Sequence, residues 1–486
     1  MLTTAISAAA LEVDEQYLLE KALDYDQWFQ MWHSPTHDGG FGSAVEVEFT
    51  DPENTEVKQY EGRWDSCLWT GTYLGGQAFR YAVTRDEQAR QNARKAANAL
   101  HHHLMVTGVP GYVSRIVVPN IPVYAHDFQY NGLCHDGTGD YEGTIWCENT
   151  SRDQYTGYWF GNSLAFDLID DPDLRNQIRS DIRQVYDYFV RNKWTIIRPN
   201  GEPSTAGPQI GPVMMLAWLL IGHDILEDPE IWDLYMERFD EFTRLRLLDI
   251  DSNSLFNRYS EYYGNNLRNQ AYFNIFRLDP DPARQRVYLD IYERGVRTYT
   301  RGTHNVWIDL IYLSGCLRHN ACMDGNGVLE EVLIGLTDFW DPPHRDLPVG
   351  PIPQMPMDPF PQIWNGLIDS LGLPPEIADE IRLNEQPLYA QEVRHRCHGD
   401  FIWQRSPFRN SCEGGDGSFV RPGIDYVTPY WMGRYLDLIP PGNPLADDDD
   451  DTGDGVDYSD PPPGPGDDDS PPESPEDDED DGVCGG

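Results

Sequence analysis

Positive charge is scarce in this sequence of 486 residues: 36 Lys and Arg stand against 81 Asp and Glu, a net charge of −45. Phosphate backbones need a basic surface, so nucleic acid is not an expected partner. Anionic membrane surfaces are disfavoured for the same reason. Long apolar runs are also missing. No stretch of about eighteen apolar residues occurs, so no membrane-spanning segment is expected. Leu2 to Leu11 is mildly apolar but has no basic residues before it, and does not read as a secretory leader. Cysteine is sparse and unclustered. The eight cysteines form no CxxC pair and no Cys/His set with zinc spacing, so no metal or other cofactor is expected.

What is present divides in two. From Asp447 to the end there are 18 acidic residues and no Lys or Arg, interleaved with Pro, Gly and Ser. Such a segment repels itself and has almost nothing apolar to bury. Residues 446–486 are therefore expected to be a disordered acidic tail, and residues 1–445 a single folded domain. The tail, ending Val-Cys-Gly-Gly around Cys484, reads either as a spacer ahead of a surface-attachment site or as a plain solubilising segment. Three cysteine pairs lie close enough in sequence to form disulfides: Cys134 with Cys147, Cys316 with Cys322, and Cys397 with Cys412. Buried free thiols are the other reading.

Within the body, uncharged stretches alternate with amphipathic ones. Gln154 to Phe166 is free of charge, as are Ser66 to Phe79 and Pro208 to Gly222. Tyr262 to Phe276 and Asn305 to Leu317 are mostly apolar. Each is followed, after a short acidic or Pro-containing turn, by a stretch with one apolar face, such as Ala89, Ala93, Ala96, Leu100 and Leu104. Helices apolar all round must be buried on every side, and amphipathic ones cover them. Counting Asp14 to Trp32 as an outer helix and Asp425 to Ile439 as an inner one gives six pairs. The expected fold is all-α, an (α/α)6 toroid of six helical hairpins with long loops. A generic α-solenoid is the alternative, but its last helix would be polar, whereas Tyr426 to Leu438 is rich in aromatics. Val45, Val47 and Phe49 predict one short hairpin strand. Tyr112 to Thr150 reads as a long loop, and a short helix is expected around Ile377 to Leu383.

The hairpin TGTYLGGQAFRYAVTRDEQARQNARKAANAL resembles those of six-hairpin glycosidases. RWDSCLW and SRDQYTGYWFG, at the starts of two inner helices, are similar to the Asp-bearing entrances of the unsaturated glucuronyl hydrolase group. The resemblance covers residues 14–439 in organisation. It implies a carbohydrate-active enzyme, a glycoside hydrolase or polysaccharide lyase, with Asp65 and Asp153 as acid and base.

In such a ring the inner helices run parallel, so their N-terminal entrances gather at one end. The entrances carry Arg63, Trp64 and Asp65, then Arg152, Asp153 and Tyr155, then Tyr262, Tyr263, Asn265 and Asn266, and finally His304, Asn305 and Trp307. Aromatic faces stack on sugar rings, and amides and Arg bond hydroxyls or a uronate. Glycoside hydrolysis uses two carboxylates whose separation sets the stereochemistry. The competing role is capping: Ser151-Arg152-Asp153-Gln154 has the form of a capping box, and Asp65 stands where an N-cap would. His33 and His37 flank a loop expected to reach the same end. His101 to His103 read as packing, and Asp136, Asp140 and Glu142 form only a partial calcium-like set. Cys322 to Gly327 has an EF-hand look at its glycines, but its first and last ligand positions hold Cys322 and Leu333. Glu261 and Asp309 are further carboxylates near helix starts. Carbohydrate is the expected partner and an extracytoplasmic, secreted or cell-surface location the expected setting. A non-catalytic surface glycan-binding or scaffold protein is the alternative. A terpenoid-cyclase-like toroid is a weaker third, because the inner helices carry no Asp-rich motif.

Overall fold

The uncharged stretches become helices buried on every side, and each amphipathic stretch lies beside the one before it. The computed structural model describes residues 13–439 except 54–55, 62–64, 127–131, 253–256, 350–354, 400 and 410–413. All of these belong to one unit, Met1–Ala446. The expected disordered tail lies outside the described residues, as do Arg63, Trp64 and Cys412.

In chain order the elements begin with α1 (Glu15–Trp28), β1 (Glu46–Phe49), β2 (Val57–Glu61), α2 (Ser66–Thr84) and α3 (Glu87–Met105). They continue with β3 (Ile116–Pro119), α4 (Pro122–Ala125), β4 (Cys134–Asp136), β5 (Thr144–Cys147), α5 (Arg152–Leu168) and α6 (Pro172–Arg191). Next come α7 (Pro212–Leu226), α8 (Pro229–Arg244), α9 (Leu247–Ser252), α10 (Tyr263–Leu278), α11 (Pro282–Arg294) and α12 (Val296–Thr300). The last are α13 (Val306–Cys316), α14 (Gly325–Asp338), β6 (His344–Arg345), α15 (Pro359–Leu371), α16 (Pro375–Ile381), β7 (Phe419–Arg421) and α17 (Ile424–Tyr435).

The described chain is mostly helical. Helix α2 packs on α5, α5 on α7, α7 on α10, α10 on α13, α13 on α17, and α17 on α2. The amphipathic helices α3, α6, α8, α11 and α14 each pack on the uncharged helix that precedes them, and α1 packs on α17. The turns between partners are built alike. Asp86, Asp171, Asp228 and Asp281 each N-cap the following helix through the side chain, three of them just before a Pro at its first position. Inside, Phe160 meets Phe79, Phe273 and Trp307 at ring separations of 6.5, 6.0 and 5.8 Å.

The fold departs from all-α in two small antiparallel sheets. One has the order β2-β1-β7-β6 and contains the expected hairpin; the other, β3-β5-β4, occupies the stretch read as a loop. Its strands are three or four residues long, too short to show an alternating pattern. Cys134 and Cys147 face each other across β4 and β5 and form a disulfide. Cys316 and Cys322 form another, Cys397 is also disulfide-bonded, and Cys67 is a buried free thiol. Helix α16 matches the expected short helix, whereas α15 was not expected.

Candidate functional site

Glycines bring the entrances of α2 and α5 together. A Cβ at Gly71 would lie 2.0 Å from the Gly157 carbonyl oxygen, and one at Gly161 would lie 2.2 Å from that of Gly71. Only hydrogen fits in this seam, so the two backbones touch and their first turns sit side by side. Arg115 is stitched to α2 and to β5. Its carbonyl accepts from Cys67 N at 3.1 Å and its N–H donates to the Cys147 carbonyl at 2.9 Å. The disulfide strand β5 thereby sets where the Arg115 side chain starts.

Asp65 occupies the N-cap position of α2, but its side chain makes no capping bond. It is turned to the neighbouring helix, where Oδ1 accepts from Gln154 Nε2 at 2.6 Å and from Arg115 Nη2 at 3.0 Å. At α5 the capping box is present: Gln154 Oε1 accepts from Ser151 N at 2.8 Å. Ser151 Oγ lies 2.8 Å from both Gln154 Oε1 and Asp153 Oδ2. A hydroxyl has one proton, so it satisfies only one of these oxygens at a time. The result is a continuous chain, Asp65–Gln154–Ser151–Asp153, joining the two carboxylates. One hydrogen bond, two 2.8 Å contacts that share the Ser151 proton, and one amide group limit their separation to about 10 Å, within reach of the spacings of about 5 to 9.5 Å that glycosidases use.

The surroundings are polar and shaped by loops. Arg115 Nη1 also donates to the Asn149 carbonyl at 3.1 Å. Asn149, at φ 62°, uses its Oδ1 to hold Ser204 Oγ, Thr205 N and Thr205 Oγ1, each at 3.0 Å. The half-buried Arg152 guanidinium packs beside Gly207, where a Cβ would sit 3.6 Å from Nε. Glu148 is buried between Arg198 and His135, each 3.3 Å away. Two carboxylates, two guanidiniums and an amide therefore converge at adjacent helix starts, an arrangement able to move a proton and to hold a hydroxylated ligand.

The other expected ligand-binding residues are placed differently. Tyr155, Tyr262, Asn266 and Trp307 are fully buried at 0% exposure, which corrects the expectation that they line an open mouth. The Tyr155 hydroxyl donates to the Gly111 carbonyl at 3.0 Å, and that of Tyr262 to the Tyr299 carbonyl at 3.2 Å. Tyr155 is covered by Tyr188, Phe189 and Trp218; the others are covered by the segment Phe401–Arg405, which crosses the starts of α10, α13 and α17. Phe401 stacks on Trp69 at 4.9 Å and meets Trp307 edge-on at 6.1 Å. The Gln404 carbonyl accepts from Tyr262 N at 2.8 Å, Asn305 Nδ2 donates to the Trp403 carbonyl at 2.9 Å, and Asp425 Oδ2 accepts from Ile402 N at 3.0 Å. Asn266 Oδ1 accepts from Trp307 Nε1 at 3.0 Å. Tyr263 is exposed, with its hydroxyl bonded to Arg405, and His304 stands 3.8 Å from Glu331.

Nothing local in the sequence marks Gln154 and Arg115 as residues that bridge the two carboxylates. Gln154 was legible as a capping residue only, and Arg115 lies in a stretch read as loop. Of the histidines, His33 is buried with Nδ1 at 2.8 Å from the Val45 carbonyl, and burial pushes it down to about 4. His101, His102 and His103 pack against Asp181, Tyr141 and Ser114. Glu261 accepts from Ser406 N at 2.7 Å, which ties it to the covering segment. Asp309 pairs with Arg297, and burial pushes its carboxyl up to about 7.

At the opposite ends of these helices, Asp224 is hydrogen-bonded to Asp167, which Arg277 grips. Burial, followed by the Asp167 charge, pushes Asp224 up to about 7. Among the described residues no group of three or more His, Cys, Asp and Glu is arranged to hold a metal ion, and no helix is long and apolar enough to cross a membrane. Compared with models of known protein families and with curated proteins, the chain matches none.

Proposed function

We propose that the chain is an (α/α)6 toroid and a carbohydrate-active enzyme, a glycoside hydrolase or polysaccharide lyase, working where α2 and α5 begin. The closed order of neighbours α2, α5, α7, α10, α13, α17, each covered by an amphipathic partner, supports the toroid. The hydrogen-bonded chain from Asp65 to Asp153 carries the activity. Asp65, fixed by two donors, is an acceptor placed to take a proton. Asp153 Oδ2 and Gln154 Oε1 share the single Ser151 hydroxyl proton. In hydrolysis Asp65 takes a proton from water as the water oxygen bonds the anomeric carbon, and the glycosidic C–O bond breaks with Asp153 protonating the leaving oxygen; in elimination Asp65 takes the proton from carbon as the C=C bond forms, and the C–O bond breaks with Asp153 again protonating the leaving oxygen. Arg115 and Arg152 supply the cationic flank for hydroxyls or a uronate. The disulfides Cys134–Cys147 and Cys316–Cys322 suit an oxidising, extracytoplasmic setting, in which the acidic tail serves as a surface spacer.

A non-catalytic glycan-binding protein is the second reading. It is favoured by one observation: Phe401–Arg405 covers the starts of α10, α13 and α17. The test is a screen of the purified full chain on a panel of oligo- and polysaccharides, with Asp153→Asn as control. Turnover lost in the variant supports the enzyme. Turnover unchanged in the variant overturns the role of Asp153, and binding without turnover favours the second reading.

A further inference from the structure

Two depressions lie along α3, away from the paired carboxylates, one against the end of α1 and the other against the loop 36–41 that follows it; together they are called the α1/α3 groove. One, of about 510 Å³, is walled by Gln27, Gln30, Gln88 and Asn92 over a floor of Asp26 and Arg80. The other, of about 410 Å³, is bordered by Gln91, Lys95, Asn98, Phe41 and His102. They adjoin at one contact, where Lys95 Nζ donates to Gln30 Oε1 at 3.0 Å. Together they follow one face of α3 from Gln88 to His102, about 20 Å at the helical rise.

The chemistry of this groove is unusual for the chain. Six of its lining residues are side-chain amides, in a body otherwise dominated by carboxylates. Its cations are engaged with the protein. Arg80 bridges Asp26 and Asp86, Arg94 pairs with Asp171, and Lys95 is held by Gln30. The floor is closed as well: Asp26 accepts from Gln77 Nε2 at 2.8 Å, Arg80 Nη1 at 2.6 Å and Asn92 Nδ2 at 3.0 Å. Four of the amides are partly engaged as well: Gln30 with Tyr73 and Lys95, Gln88 with Asn92, Gln91 with Glu87, and Asn92 with Asp26. What remains for a ligand is the exposed Gln27 and Asn98 and the second amide atom of the exposed Gln88 and Gln91. At one end stands an aromatic group: Phe41 lies 4.6 Å from the His102 ring, and His102 Nδ1 is 2.9 Å from the Tyr141 hydroxyl. Amides that bond hydroxyls, beside aromatic faces that pack on C–H surfaces, form a lining suited to sugars rather than to ions.

The groove also has a direction. Its Arg80 end is about four helical turns along α2 from Asp65. Its His102 end returns to the level of the α2 entrance: His103 Nε2 is 3.1 Å from Ser43 Oγ, and the Ala44 carbonyl holds Ser66 Oγ at 2.7 Å. Ser66 follows Asp65.

We propose that the α1/α3 groove is a second binding site that takes an extended neutral polysaccharide strand and leads it toward the Asp65–Asp153 entrance. Its guiding role rests on the proposed activity; its binding role does not. The test is affinity gel electrophoresis of the full chain through gels containing hydroxyethylcellulose, xyloglucan, mixed-linkage β-glucan or galactomannan, with a polygalacturonate gel alongside. Wild type, the double variant Gln91→Ala/Asn98→Ala, Phe41→Ala and Asp153→Asn are run together, and circular dichroism checks that each is folded. The expected result is retardation by at least one neutral polymer, weakened tenfold or more in the double variant and in Phe41→Ala, and unchanged in Asp153→Asn. Equal retardation of the double variant and wild type overturns the groove, as does retardation by polygalacturonate alone or none by any gel. If retardation is absent while wild type turns over glycans, the groove falls and the enzyme stands. If retardation behaves as expected without turnover, the groove stands and the enzyme falls.

Discussion

Gln154 does two jobs with one side chain. Its carbonyl oxygen caps α5 through Ser151 N, and its amide nitrogen reaches Asp65 on the next helix. Gln154→Leu removes an acceptor and a donor from a fully buried position, so Ser151 N loses its acceptor and Asp65 loses one of its donors. The expected cost is about 1–3 kcal/mol in urea denaturation. Asp224 provides a separate test at this scale. An unfolded Asp titrates near about 3.9, whereas burial pushes Asp224 up to about 7. Between these values the unfolded chain has released a proton that the folded chain keeps. This group therefore lowers stability as pH rises from about 4 to about 7. Asp224→Asn still donates to Asp167 and carries no titrating proton. Its urea midpoint relative to wild type is expected to rise between about pH 5 and about pH 8, and a constant difference would contradict this. Residue by residue, the sequence announced Asp65 and Asp153 through the repeated charged preface of two uncharged helices. It concealed Arg115, whose position depends on a disulfide strand rather than on any local pattern.

At the scale of elements, the α2–α5 seam positions the site. Gly71→Ala would place a methyl group against the Gly157 carbonyl, with backbone on both sides and no flexible side chain to yield. A loss of about 1–3 kcal/mol or more is expected from such overpacking. Gly366 in α15 meets nothing within 4 Å of a built Cβ. Gly366→Ala should therefore stabilise by about 0.5–1 kcal/mol through helix propensity. The same chemical change has opposite signs, read in one pair of urea titrations. The buried helices were legible because a run without charge has to be shielded everywhere, and their partners because an apolar stripe needs a neighbour. The sheets were not legible because β3, β5 and β7 are three or four residues long and pair across distant parts of the chain. Helix α15 was missed because it begins within a Pro-rich stretch, at Pro359 and Pro361.

At the scale of the whole molecule, the helix order could be written down from the sequence but the covering of its entrances could not. Phe401–Arg405 carries no periodicity and lies far in sequence from the helices it crosses. Its Phe401 meets Trp69 and Trp307, so Trp307, expected to stack on sugar, packs on protein. At the starts of α2 and α5 the two carboxylates are linked through Gln154 and Ser151. The most direct measurement is kcat/KM for wild type, Asp65→Asn, Asp153→Asn and the double variant on a glycan that the wild type turns over. If the pair works as one acid–base unit, each single variant falls by about 10²–10⁴ and the double is no worse than the poorer single. Wild-type kcat/KM in either single variant would contradict the account.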